Sequence, residues 1–378
     1  MSAISSAVAV FHRGTKQYGV DECTYETVSA SGQISDNGPI RFQLNGKGSK
    51  YVLLPKCRVH VKARVTNTDG TALPADSKVA FTNLSLHSCF RQVDVSLNQQ
   101  VVSPDTGTNY PYKAILDIYL ASGQEDSSQV QSEGFYKDQR YAMDSLTANA
   151  GALKRKALAN QGIVDFEGVL HVDAAQQDRA ILNNVEIAVK LFQHDDSFRL
   201  IGDKAYKLTI EDAELIVCYL SLNPSMIVVH NERLSKGPAL YPYLKSSVKA
   251  FAIAKGSHTW AMDDIFHGFV PSKLIVAFVS SAAYSGDFTK NPFNFHHFDL
   301  NYLEFSKDGR SIPASPFQPK FTANTAAAGQ YLDTGYIREF LSLFKNEYPQ
   351  LNSTFIERED FPGGKLIHII CCVVLLFL

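Results

Sequence analysis

Basic charge is in short supply in this chain of 378 residues: 36 lysines and arginines stand against 38 aspartates and glutamates, a formal net charge of −2. A protein that coats nucleic acid neutralises phosphates with a basic excess. Condensing a genome is therefore not its work, and near DNA it would act as a wall. Tryptophan is almost missing, with Trp260 alone, which thins the aromatic platforms expected of a sugar site, although 17 tyrosines remain. The six cysteines (Cys23, Cys57, Cys89, Cys218, Cys371 and Cys372) include no C-x-x-C pair, so neither a zinc knuckle nor a dithiol redox motif is expected. The first four lie in apolar, strand-like sequence and are expected as free thiols.

Long apolar runs are also lacking. Ala7 to Phe11 is short and no basic residue precedes it, so no signal peptide is expected and the chain is expected to stay inside the cell. The triplets Asn83-Leu84-Ser85 and Asn352-Ser353-Thr354 are then chance matches to a glycosylation motif. The apolar tail from Lys365 to Leu378 falls short of the roughly 18–20 residues a membrane span needs, so no span is expected. No G-x-S-x-G elbow and no cysteine-protease signature occurs.

What is present is alternation with period two. In Arg58-Val59-His60-Val61-Lys62-Ala63-Arg64-Val65 every second residue is apolar, the signature of a half-buried antiparallel strand. Val93 to Asn98 and Val185 to Leu191 repeat it. Leu215 to Leu220 and Leu274 to Val279 are continuous runs of β-branched and aromatic residues, strands buried on both faces. Turn signals separate the runs: Asn45-Gly46, Asn67-Thr68-Asp69-Gly70, and Asp308-Gly309 within Lys307 to Arg310. Helical spacing is confined to Tyr112 to Leu120, Thr334 to Phe344 and some of Met143 to Ala159, none long enough to organise a domain. The stretch from Asn223 to Pro242, with Pro224, Gly237, Pro238 and Pro242, divides the strand-rich sequence in two. The expectation is an all-β chain of two tandem antiparallel jelly-roll sandwiches, with a few short helices in connecting loops. Its parts are an arm over 1–19, a first roll over 20–222, a linker over 223–242, a second roll over 243–364 and an apolar tail over 365–378.

Several residue groups resemble chemical sites, and each has a structural reading that outweighs the functional one. His296-His297-Phe298-Asp299 is metal-like, with His258 and His267 as distant candidates. Adjacent strand residues point to opposite faces, however, so one ion cannot take both histidines. The pairs in His194-Asp195-Asp196 and Asp263-Asp264 lack the spaced ligands of a calcium loop and suit turns. Gly46-Lys47-Gly48-Ser49-Lys50 lacks phosphate-loop spacing and suits a basic hairpin tip. Lys154-Arg155-Lys156 suits a solvated loop better than a DNA contact. The expectation is therefore no catalytic residue, no cofactor-binding residue, no metal ligand and no enzyme activity.

An ordered series in the second half carries a resemblance. Asp264-Ile265-Phe266-His267-Gly268-Phe269-Val270-Pro271 leads into the strand from Ser272 to Val279. Ala283-Tyr284-Ser285-Gly286-Asp287, Asn291-Pro292-Phe293-Asn294-Phe295-His296-His297-Phe298, Asp308-Gly309 and Ile312-Pro313 follow in order. In the first half Val185 to Leu191, Asp196-Ser197-Phe198-Arg199-Leu200 and Ser221-Leu222-Asn223-Pro224-Ser225 fit the same pattern. Over roughly residues 20 to 364 the chain resembles the major capsid proteins of Polinton (Maverick) elements and adintoviruses. That family implies a double jelly-roll, hexon-like subunit in a virion. It implies homotrimers that form pseudo-hexagonal capsomers and tile an icosahedral shell beside a penton-like minor capsid protein. The shell encloses double-stranded DNA without reading its sequence. The resemblance ends at Gly364, where the family continues into a final strand. The tail from Lys365 to Leu378 is expected to be aberrant, from a decayed genomic copy or a shifted reading frame. The rival expectation is a tandem β-sandwich module that binds carbohydrate or protein ligands.

Overall fold

The computed structural model describes residues 19–36, 38–103, 107–266, 271, 273–321, 335–343, 354–361, 367–368 and 373–377. His267, Cys371, Cys372, Asn352 and, of the arm over 1–19, residues 1–18 lie outside them.

Eleven strands fall in the first part of the chain: β1 (Val20–Ser29), β2 (Ile40–Leu44), β3 (Lys50–Val52), β4 (Arg58–Asn67), β5 (Val79–Phe81), β6 (Phe90–Leu97), β7 (Gln100–Val101), β8 (Ile163–Val169), β9 (Ile187–Gln193), β10 (Leu200–Gly202) and β11 (Tyr206–Leu222). One sheet runs β1-β11-β4-β8, with β3 also on β11, and a facing sheet runs β2-β9-β6-β7; all pairs are antiparallel. The first strand, β1, pairs with the last, β11, and β2 pairs with β9; β4 and β8 complete one sheet and β6 and β7 the other, while β5 and β10 pair apart. That order is the two interleaved Greek keys of a jelly roll.

The alternation in the sequence places the core. Val59, Val61, Ala63 and Val65 of β4 are buried, as are Val93 and Val95 of β6 and Ile187, Val189 and Leu191 of β9. Together with Leu208, Ile210, Leu215 and Val217 of β11 they form one continuous cluster between the sheets. The polar face of β4 carries a ladder of ion pairs: Arg58 with Glu167, His60 with Asp165, Lys62 with Asp212 and Arg64 with Glu211, at 3.0, 3.4, 3.4 and 3.0 Å. Exposed pairs of this kind add about 0–1 kcal/mol each, so they fix the outward face more than they hold the fold.

Helices sit in the connections, as expected: α1 (Ser85–Ser88), α2 (Tyr110–Ala121), α3 (Ser127–Gln131), α4 (Ala150–Ala159), α5 (Asp196–Arg199), α6 (Pro224–Leu234), α7 (Ser281–Ser285) and α8 (Ile337–Ser342). Two differ from expectation. Helix α2 is buried on nearly all sides, including Tyr110, Tyr112, Lys113, Ile115 and Tyr119. It is more than an excursion, because Tyr110 packs into the sandwich while Tyr112, Ile115 and Tyr119 belong to a second cluster formed with later residues. Helix α6 occupies sequence expected as plain linker. Asn223 caps it by accepting the Ser225 N–H at 3.0 Å, and Pro224 fills the first turn, where a missing N–H costs nothing.

The later strands are β12 (Val248–Ala252), β13 (Ile275–Val279), β14 (Ser306–Lys307), β15 (Arg310–Ser311), β16 (Ile367–His368) and β17 (Val373–Phe377). Every residue of β13 is buried, as its continuous apolar run requires. The β14–β15 hairpin turns at Asp308 and Gly309 with φ of 50° and 74°, the two positive values of the expected tight turn. The pairing of the larger sheet, β12-β17-β13-β16, corrects the antiparallel expectation: β17 lies between β12 and β13 and runs parallel to both. The tail strand thus takes a central position there. The all-β framework with short connecting helices stands.

Candidate functional site

The residue groups singled out in the sequence do not converge on a catalytic constellation. His297 Nδ1 accepts the Asp299 backbone N–H at 3.0 Å, and its ring stacks on Phe321. The ring of His296 tilts against Phe298. Asp196 is consumed by Arg199 and by the Leu208 N–H, and it lines an open polar cleft with Asp36, Arg91, His194, Asp195 and Arg199. Its neighbour His194 lies flat on Phe198, with ring centroids 3.8 Å apart, and accepts the Asp195 N–H at 2.8 Å. Burial, reinforced by the charges of Arg199 and Arg91, pushes this imidazole down to about 3. Asp263 and Asp264 are exposed on a bend where Asp264 takes φ of 55°. Lys47 and Lys50 form the basic hairpin tip, and both pair with Glu26.

The basic triplet is a correction. Lys154 is exposed, but Arg155 is fully buried on α4 and bonds Asp138 at 2.6 Å and the carbonyls of Phe81 and Tyr136 at 3.0 Å each. Asp138 also accepts the amides of Asn83, Asn149 and Asn291. Three charges in a row suggested a solvated loop, but helical rotation turns the middle one inward. Asn83, the supposed chance glycosylation match, is completely buried in this same network.

Sequence reasoning missed a buried cluster assembled from three connections. His87 on α1 places Nε2 3.3 Å from Oε2 of Glu133, which follows α3. His171, just after β8, places its own Nε2 3.8 Å from the same oxygen. The other ring nitrogens are held from behind: His87 Nδ1 lies 2.8 Å from the Tyr110 hydroxyl, and His171 Nδ1 lies 3.1 Å from Asp117. Lys113 bridges Asp117 at 2.7 Å and Asp173 at 3.6 Å. Gly168 makes room, since a Cβ there would lie 2.3 Å from the Glu133 side chain. Burial opposes ionisation of Glu133, but the neighbouring imidazoles of His171 and His87 outweigh it and hold the carboxyl down to about 2. Burial likewise opposes a charged His171, yet Asp117 and Glu133 raise it; His87 is lowered by burial.

A second feature is superficial. Helix α6 has no buried residue at all. Val228 is 66% exposed, Val229 46% and Leu234 41%, and Leu240 and Leu244 follow at 69% and 84%. The helix touches the sandwich through His230, whose Nδ1 lies 3.0 Å from the Tyr51 hydroxyl. An amphipathic helix ordinarily buries an apolar stripe, and this one leaves Val228, Val229 and Leu234 exposed and Met226 and Ile227 only half-buried.

No family model matches the chain. The uncharacterized protein F54H12.2 of Caenorhabditis elegans is 22% identical over 323 residues, 81% of this chain and 74% of that protein. Among solved structures, a chain of the Sputnik virophage aligns with a TM-score of 0.43 and 9% identity, covering 59% of this chain and 53% of that one. The mavirus major capsid protein aligns at 0.36 and 14%, covering 60% and 53%, and the Faustovirus major capsid protein at 0.36 and 9%, covering 59% and 58%. The chain therefore spans a little over half the length of these solved capsid chains. Among the described residues no helix is long and apolar enough to cross a membrane.

Proposed function

We propose that this chain is a structural capsid subunit that works by associating with copies of itself and performs no catalysis. The observation that carries this is helix α6: eleven residues without one buried side chain, followed by exposed Leu240 and Leu244. Large apolar side chains left exposed together along one short segment are ordinarily explained by a partner. A second copy is the partner that a jelly-roll framework suits, since closed symmetric assemblies reuse one surface.

In finer detail the reading follows the ordered motifs of the second half. The subunit is hexon-like, belongs with Polinton and adintovirus capsid proteins, and forms a homotrimer that serves as a pseudo-hexagonal capsomer. Capsomers tile an icosahedral virion beside a penton-like minor protein and enclose DNA without base contacts. The residues divide into an arm over 1–19, a first roll over 20–222, a linker over 223–242, a second roll over 243–364 and the tail over 365–378. Residues 223–242 then serve as an association surface as well as a connection.

Size-exclusion chromatography with light scattering tests this. The expected mass is three times 41.8 kDa. A particle that stays at 41.8 kDa at every concentration and binds glycans would replace the proposal with a monomeric binding module.

A further inference from the structure

We propose that His87, Glu133 and His171 form a binding site for one divalent transition-metal ion, with zinc as the best-matched occupant. Two imidazoles and one carboxylate are a recognised zinc donor set, and bonds of about 2.0–2.1 Å place tetrahedral donors about 3.3–3.4 Å apart. Here the pairs His87–Glu133 and His171–Glu133 stand at 3.3 and 3.8 Å, and all three donor atoms lie within 4.8 Å of one another. Tetrahedral spacing is reached when His171 moves inward toward the other two donors.

Three further observations point to an ion. First, His171 is 8% exposed, and its Nε2 is directed into the cluster without a hydrogen-bond partner. A metal bond supplies that partner. Second, both histidines are oriented from behind at Nδ1, by Tyr110 and by Asp117. Outer contacts of this kind fix ring rotation and the tautomer that leaves Nε2 free for a metal. Third, Lys113 pairs with the carboxylates of Asp117 and Asp173 at 2.7 and 3.6 Å, and Glu133 is left to the two imidazoles. A buried carboxylate without a cation is costly, and a divalent ion between the imidazoles would supply one to Glu133. The ion can enter past Asp117, whose side chain is 29% exposed and is reached by Gln176 at the surface.

The site is structural by position. It joins α1, the turn after α3 and the segment after β8, three pieces far apart in sequence, and so pins the helical insertion between β7 and β8 onto the sandwich.

The test uses the full chain, stripped with a chelator and dialysed against zinc or cobalt chloride. The expected result is about one equivalent of bound zinc by mass spectrometry, visible ligand-field absorption with cobalt, and a melting temperature that falls on stripping and recovers with zinc. Glu133→Gln, which keeps the side-chain volume, should weaken zinc binding at least about tenfold. Should that variant not fold, Asp117→Asn, which leaves all three ligands in place, should still weaken binding by about 10–100-fold. The proposal is overturned if folded wild-type chain takes up less than about a tenth of an equivalent of either metal. Stoichiometric binding unaffected by both substitutions overturns it equally, because the metal then sits elsewhere.

Discussion

In residues 20–222 the first and last strands lie side by side over nine paired positions, and the core between the sheets is closed by residues of that stretch almost alone. In the second half no described strand exceeds five residues, and the main cluster is completed by a helix lent from the first half. Tyr112 of α2 meets the rings of Tyr284, Phe293 and Phe295, and Asn291 reaches Asp138 and the Met143 carbonyl across the same boundary. Among the described residues one half is thus a closed sandwich, and the other shows a four-stranded sheet and a hairpin whose main cluster borrows α2. The difference teaches that tandem β units in one chain need not be equal folding units.

The most severe way to break this comparison is to separate the halves. A fragment of residues 223–378 is expected to give no cooperative melt by circular dichroism, since α2 is lost with all of its aromatic contacts; an independent sharp transition would show the halves to be equivalent. Next in size is the buried Arg155–Asp138 pair, which sits where the halves meet. Arg155→Met leaves Asp138 buried without its cation and should cost about 3–5 kcal/mol in urea unfolding; a cost near that of an exposed ion pair would mean that Asp138 is wetter than the structure shows. Tyr112→Ala opens a cavity on the second-half side and should cost about 3–5 kcal/mol. It should also raise hydrogen exchange in β13 more than in β6, whereas an equal rise would erase the asymmetry.

A smaller effect sharpens the first half. His194 is depressed in the folded chain, so below its ordinary value near 6.5 the unfolded chain takes the proton first. Stability should therefore fall as pH drops, by about 1 kcal/mol between pH 7 and 5.5. His194→Phe, which keeps the stack on Phe198, should flatten that slope in pH-dependent melts. The smallest effect on stability belongs to Val229→Glu on α6, within about 0.5 kcal/mol because nothing there is buried in one chain. Its consequence should be seen in light scattering instead, where the proposed trimer is expected to dissociate; an assembly left intact would move the interface away from α6.

The framework was largely legible in the sequence because side chains alternate across a strand, and β4, β6 and β9 display that period directly. The turns at Asn67 to Gly70 and Asp308-Gly309 were legible because their backbone suits few residue types. Helix α6 had a readable start in Asn223-Pro224, but Pro238 and Pro242 drew attention to a linker. Arg155 was misread because composition cannot tell which member of a charged triplet faces inward. The parallel placement of β17 had no local signal at all.

The amino-acid order by itself determined which segments are strands, which face of each is apolar and where the chain turns, because those properties depend on neighbours one to four positions away. Only the tertiary structure decided that α2 serves two cores, and that His87, Glu133 and His171, one from each of three separate connections, meet at a single carboxylate oxygen. Such meetings depend on how the strands are threaded through the two sheets, and spacing along the chain carries no trace of that path.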